Sequence, residues 1–222
     1  IYHTTFKIKD DPLVSVIIPN KDHRQDLDLC IRSMITRGTY KNLEFVVIEN
    51  NSTDPETFAY YEAIQQEFPQ VRVVTWTREF NYSAINNFGV QAAKGQYLLF
   101  LNNDTELIAE NFVEEMLGFC QREDVGAVGA RRLYQDDTIQ HAGVVGGVAG
   151  HTFIGLHKAE NSYFHRAMCA QDYSAVTAAC MMSKKSVFDA VGGFSEDLAV
   201  AFNDIDYCMK VRSLGKLVVY AP

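Results

Sequence analysis

Four short apolar runs recur along the first half of the chain: LVSVIIP at 13–19, LEFVVIE at 43–49, VRVVTW at 71–76 and YLLFL at 97–101. Each is strand-length and lacks a polar face, the pattern of strands buried on both sides. The segments between them carry apolar residues at helical spacing. Leu27, Cys30, Ile31, Met34 and Ile35 share one face before a stop at Gly38. Phe58, Tyr61 and Ile64 follow an Asp54 cap and a first-turn Pro55. Ile85, Phe88, Ala92 and Ala93 lie between a candidate cap at Ser83 and a candidate stop at Gly95, and Phe112, Val113, Met116, Leu117 and Cys120 mark a fourth helix. This alternation predicts an α/β fold with a mostly parallel central sheet flanked by helices on both faces.

After VGAVGAR at 125–131 the pattern changes. LYQDDTIQHAGVVGGVAGHTFIG carries turn signals at Asp136 and Asp137 and reads as a hairpin leading into a glycine-rich loop. AVTAACMMSKKSVFDAV supplies a further strand and helix up to Gly192 and Gly193, and a last helix runs from near Asn203 to Gly215. The expectation is one domain over 1–222 with a small antiparallel addition in its second half. The closing strand KLVVYAP, with nothing after it, suggests a segment of a longer protein.

Composition narrows the partners. With 20 Lys plus Arg against 28 Asp plus Glu, the net charge of −8 offers no general attraction to nucleic acid or anionic lipid. The five cysteines, Cys30, Cys120, Cys169, Cys180 and Cys208, form no C-x-x-C pair and suit a reducing cytoplasm. Cys169 and Cys180 read as small core residues and Cys208 as the inner face of the last helix. No apolar run approaches the ~20 residues that span a bilayer, and IYHTTFKIKDD has no signal-peptide stretch.

In an open parallel sheet the ligand crevice lies beyond the carboxyl ends of the strands. Here those ends are polar: Asn20, Lys21 and Asp22 after the first strand, Asn50 to Asp54 after the second, and Asn102, Asn103 and Asp104 after the fourth. Any one cluster could serve a turn alone; three along one edge point to a polar ligand. Neither G-x-G-x-x-G nor G-x-x-x-x-G-K-[ST] is present to cradle phosphate. A carboxylate such as Asp104 among neutral oxygens suits a hard divalent cation that bridges phosphate oxygens.

The ordered set VSVIIPNKD, VIENNSTD, FNYSAINNFGVQAAKGQYLLFLNNDTEL, DDTIQHAGVV and AFNDIDYCMKVRSLG resembles the inverting family-2 glycosyltransferases of GT-A type fold. The resemblance implies a nucleotide-binding half over 1–130 and an acceptor and catalytic half over 131–222. It implies a nucleoside-diphosphate sugar as donor and Mn²⁺ or Mg²⁺ as the metal. Pro19, Asn20, Glu49 and Asn51 would shape the nucleotide pocket with Asn103, and Asn81 and Asn86 would line it, Gly89 allowing close helix packing. The other reading of Asn86 and Asn87 is an exposed helix face. Asp104 aligns with the last acid of the D-x-D metal motif, whose first position here is Asn102. An amide oxygen ligates without charge, so the metal would either bind more weakly or lean on Glu106.

In NDIDYC the resemblance gives Asp204 the place of the catalytic base, with Asn203 where an acid is usual. Asp204 and Asp206 are about 200° apart around a helix, so only one can face a reacting atom. Asn203 and Asp206 have the spacing of a capping pair, which leaves Asp204 for chemistry. The implied reaction is a single displacement onto the hydroxyl of a glycan or lipid-linked acceptor in bacterial envelope polysaccharide synthesis, with any membrane attachment peripheral, at the inner face, through regions outside this chain. A sugar nucleotidyltransferase and a non-catalytic binding module are the rival readings. His141 and His151 read as acceptor contacts or as solvated side chains, and Arg131 and Arg132 as phosphate contacts or a surface pair. Acceptor and donor choice would rest on the 147–172 loop.

Overall fold

A computed structural model describes residues 3–146 and 150–222. The strands are β1 (Val14–Asn20), β2 (Leu43–Asn50), β3 (Val71–Trp76), β4 (Tyr97–Leu101), β5 (Val125–Ala130), β6 (Arg132–Leu133), β7 (Ile139–His141), β8 (Val144–Val145), β9 (Gly150–His151), β10 (Gln171–Asp172), β11 (Cys180–Lys184) and β12 (Leu217–Ala221). The α-helices are α1 (Arg24–Arg37), α2 (Pro55–Glu67), α3 (Tyr82–Ala92), α4 (Phe112–Cys120), α5 (Lys185–Ala190) and α6 (Asn203–Ser213). Eight strands form one sheet in the order β10-β12-β5-β11-β4-β1-β2-β3. β1 to β4 are parallel, as the alternation predicts, whereas β11 lies between β4 and β5 and runs antiparallel to both. β6 and β7 form the expected hairpin, and β8 and β9 a second one. Residues 147–149 of the predicted specificity loop lie outside the described residues.

Side chains of successive strand residues leave the sheet on opposite faces, and both faces are dry. Val14, Val16 and Ile18 of β1 join α1, α2 and α4 in one core, while Ile17 joins α3, α5 and α6 in the other. On the second face Phe100 meets Phe194 edge to face at a centroid distance of 4.9 Å, and Tyr207 packs on Phe194 at 5.1 Å. Gly89 brings α3 onto this face, because a Cβ there would come within 2.8 Å of both Ile17 and Ile48 side chains.

Local signals hold at Asp54, whose carboxylate accepts the Glu56 amide beside Pro55, and at Gly38, which ends α1. Three expectations need correction. Ser83 is not the cap of α3: Asn81 Oδ1 accepts the Ala84 amide at 3.0 Å, and the Ser83 hydroxyl donates to the Leu198 carbonyl. Gly95 is not the helix stop, since α3 ends at Ala92, and Gly95 is small because it lies against Ser15 and the Leu13 carbonyl. Cys169 is only half-buried, whereas Cys180 and Cys208 are buried as expected.

Gly89→Leu forces four extra carbons between α3 and the sheet. It should lower stability by roughly 1–3 kcal/mol, read as a lower urea midpoint with an unchanged denaturant slope.

Candidate functional site

The parallel strands β1, β2 and β4 end at one edge of the sheet, where their last residues are joined by hydrogen bonds. Asn103 Nδ2 donates to Asn20 Oδ1 at 2.6 Å, and Asn20 Nδ2 donates to the Tyr61 hydroxyl at 2.7 Å. That hydroxyl donates in turn to Glu49 Oε2 at 3.1 Å, and the Ser52 amide and hydroxyl supply the remaining partners of the same carboxylate. Asn20 and Glu49 are both only 3% exposed, so this is a buried polar network with its groups satisfied inside the protein. Burial pushes the Tyr61 phenol up to about 12, which keeps it a donor. Beyond it Asp22 accepts the Thr53 and Asp54 amides, and the Asp54 amide above all holds its carboxyl below the usual range.

A second constellation forms around the turn that feeds β11. Four groups meet it in succession: His141 Nε2 accepts the Thr177 amide at 3.4 Å, Asp204 Oδ2 accepts the Ala178 amide at 3.3 Å, the Tyr82 hydroxyl donates to the Ala178 carbonyl at 3.2 Å, and the backbone N–H of Asn102 donates to the Ala179 carbonyl at 3.1 Å. Residues from α3, α6, β7 and the end of β4 therefore share one tripeptide. Burial, followed by the nearby Asp204 carboxylate, pushes the Tyr82 phenol upward.

Asp204 and Asp206 do diverge on α6. Asp206 Oδ2 accepts the Ser195 hydroxyl at 2.6 Å and lies 2.7 Å from the Lys210 ammonium. The expected Asn203–Asp206 capping pair is absent. Asn203 is the first residue of the helix, and its amide reaches back to the Leu198 carbonyl, with Phe202 at φ 62° taking the cap position. Asp204 thus sits in the first turn, where the helix dipole favours a carboxylate.

The other expected residues spread along the same edge. Asn81 caps α3 and donates to the Glu196 carbonyl, and Asn86 is fully buried, donating to the Tyr82 carbonyl. The exposed-face reading of Asn86 and Asn87 is therefore set aside, since the Asn87 side chain binds both backbone polar groups of Phe194. Pro19 lies in β1 opposite Ile48 of β2. Asn51, at φ 55°, turns to the Arg78 carbonyl instead of joining the Glu49 network.

Asp104 stands at the mouth, its side chain 62% exposed, with the Arg132 guanidinium 3.7 Å away. The surface-pair reading does not fit Arg132, whose side chain is only 15% exposed. Glu106 is turned to Arg37 at 2.9 Å, so it does not back up Asp104 as expected. Among the described residues no three His, Cys, Asp or Glu side chains gather as a metal cage. One carboxylate with an amide oxygen at Asn102 fits a cation that takes most of its ligands from substrate phosphate and water.

Tyr61, Tyr82 and Thr177 escaped the sequence reading. Tyr61 lies on the apolar face of its helix, and only the folded chain brings its hydroxyl between Asn20 and Glu49.

His141 is fully buried, not solvated, and burial above all, helped by His151 and Arg132, lowers its imidazole from 6.5 to about 3. The unfolded chain takes up this proton near pH 6.5 and the folded chain only near 3, so the unfolded state binds more protons between those values. Stability should fall as pH drops below 6.5, by up to about 1.4 kcal/mol per pH unit, and His141→Gln should flatten that slope in urea titrations at pH 4 to 7. Tyr61→Phe should cost roughly 1–3 kcal/mol at neutral pH in the same assay, because Asn20 and Glu49 each lose a buried partner.

Comparison with known proteins agrees with this architecture. A Sinorhizobium fredii (strain NBRC 101917 / NGR234) protein, y4gI, bearing no assigned activity, is 44% identical over 226 residues, covering 100% of this chain and 25% of that protein. The O-antigen biosynthesis protein RfbC of Myxococcus xanthus is 37% identical over 222 residues, covering 98% of this chain and 17% of that protein. The chain thus spans a quarter or less of these relatives' length. The solved mannosyltransferase PcManGT from Pyrobaculum calidifontis, in complex with GDP-Man and Mn²⁺, shares the fold with a TM-score of 0.72 at 17% identity, over 99% of this chain and 58% of that one. The family model Glycosyl transferase family 2 matches residues 15–191, and the chain, a GT-A type glycosyltransferase domain, belongs to that family.

Proposed function

We propose that this domain moves a sugar from a nucleoside-diphosphate sugar to an acceptor hydroxyl with inversion, in the synthesis of a bacterial cell-envelope polysaccharide. The observation that carries the reading is the gathering of Asp204, Asn102 and Tyr82 on the Thr177–Ala179 turn, beside Asp104 and Arg132. A base, an exposed carboxylate and a cation-bearing side chain thereby face one edge of the sheet. The envelope context is taken from RfbC, whose name assigns it to O-antigen biosynthesis. PcManGT, held with GDP-Man and Mn²⁺, supports the donor class and the cation.

In this reading the Asn20–Tyr61–Glu49 network gives the nucleotide a rigid floor and Asn81 stands at its side at the cap of α3, whereas Asn86, fully buried, braces α3 from within and does not line the pocket as expected. Asp104 and Asn102 would hold a divalent cation, which when bound offsets charge on the departing diphosphate. Arg132 lies close enough to Asp104 to share that task. The Asp204 carboxylate takes the proton of the acceptor hydroxyl as that oxygen attacks the anomeric carbon, and the diphosphate leaves from the opposite face. One attack inverts the centre. The acceptor is a glycan or lipid-linked sugar, and among the described residues no helix is long and apolar enough to cross a membrane. We place the domain in the cytoplasm, where nucleotide sugars are made and the five cysteines stay free thiols.

Calorimetric titration with UDP, GDP and dTDP, each with and without Mn²⁺, tests the site. One nucleotide should bind in a metal-dependent way, and Asp104→Ala should abolish the dependence. Asp204→Asn should keep that binding while turnover of the matching nucleotide sugar drops ~10²–10⁴-fold, the usual worth of a general base. Turnover surviving in Asp204→Asn would remove it from the base role.

A further inference from the structure

The proposed reaction leaves unused a buried histidine, His141, and the exposed His151 against it. His141 lies fully buried beneath the site, its Nδ1 2.8 Å from Nδ1 of His151. At its other nitrogen two backbone N–H groups converge on Nε2, from Gly143 at 3.3 Å and from Thr177 at 3.4 Å. A ring nitrogen that accepts two N–H donors carries no proton, so His141 must hold its proton on Nδ1. That proton points at His151 Nδ1, which must therefore accept it, and the exposed His151 keeps its own proton on Nε2. The two rings cross at 79° with their centroids 4.8 Å apart.

The consequence reaches the turn at 177–179. Thr177 and Ala178 are consecutive, and their amides go to His141 and Asp204 respectively. Only the φ and ψ of Thr177 separate the two N–H groups, and the Tyr82 hydroxyl and Asn102 backbone amide hold the carbonyls that follow, so anchoring the Thr177 amide narrows where the Ala178 amide can point. We propose that His141 is a positioning residue for Asp204: it holds the Thr177 amide so that the Ala178 amide meets the Asp204 carboxylate, and His151 selects the one tautomer that can do this. The proposal rests on Asp204 as the base, and it assigns the histidine pair a task that neither acceptor contact nor solvent exposure describes. A proton relay is excluded by the same geometry, because the acceptor nitrogen of His141 is closed by two backbone donors.

Histidine ¹⁵N NMR on this chain at neutral pH reads the tautomers. The expected spectrum has an unprotonated Nε2 and a protonated Nδ1 in His141, and the reverse in His151; a protonated Nε2 in His141 would overturn the proposal. The variant pair His141→Phe and His141→Gln then separates positioning from packing, since Gln returns an acceptor oxygen near the place of Nε2. In His141→Phe the Thr177 and Ala178 amides should exchange with solvent roughly fivefold to tenfold faster, the factor one hydrogen bond supplies. The ¹³C signal of the Asp204 carboxyl should move with them. Both should recover in His141→Gln, while the Leu99 and Val46 amides in the sheet centre stay unchanged. If His141→Phe does not fold, His151→Phe takes its place and should leave His141 in mixed tautomers with the same Asp204 shift. An Asp204 signal that stays put in either Phe variant would overturn the coupling. If the tautomers and the coupled shift held while Asp204→Asn kept its turnover, the base assignment alone would be lost.

Discussion

The site hangs on one antiparallel strand. β11 enters the sheet between β4 and β5, and the turn that feeds it, Thr177 to Ala179, is gripped by α3, α6, β7 and the end of β4. Ser183 of the same strand is buried against the Tyr207 hydroxyl at 2.7 Å, which docks α6 behind it. The strand's register therefore sets where Asp204 stands relative to Asp104. A slip of one residue would turn every β11 side chain to the opposite face. The Met182 side chain would then leave the α1, α2 and α4 core, and the turn would lose its partners.

Polar groups do the complementary job on the other half of the edge. Asn20, Glu49 and Tyr61 have been taken out of water, and an unpaired member of such a set costs more than a made bond returns. The network therefore favours one arrangement of the β1 and β2 ends over near alternatives, as the floor of the proposed nucleotide site requires. By contrast Asp104 stays mostly exposed, paired only loosely with Arg132 at 3.7 Å. Rigid floor and open mouth are opposite solutions to the same problem of placing charge, the first for shape and the second for a ligand that must come and go.

Much of this could be read from the residues alone. The strand–helix alternation predicts β1 to β4 and the helices between them, because hydrophobic periodicity is a local property and each element buries a face that its own sequence declares. Asp54 with Pro55 marks a helix start for the same local reason. Ser83, Gly95 and the Asn203–Asp206 spacing mislead, because a cap is chosen by geometry. Asn81 was already placed to bind Ala84, Gly95 is pressed on Ser15, and Phe202 took the cap of α6 in a left-handed conformation.

The sequence by itself determined the layered α/β architecture and the polar character of the strand ends, since both follow from which residues are apolar and at what spacing. Only the tertiary structure decided the insertion of β11 between β4 and β5 and the burial of Arg132 and His141. Those outcomes pair residues far apart in the chain, such as Thr177 with His141 and Asp104 with Arg132. A long-range pair forms when burial makes an unmet donor or charge expensive, and no local pattern records which distant group will meet it.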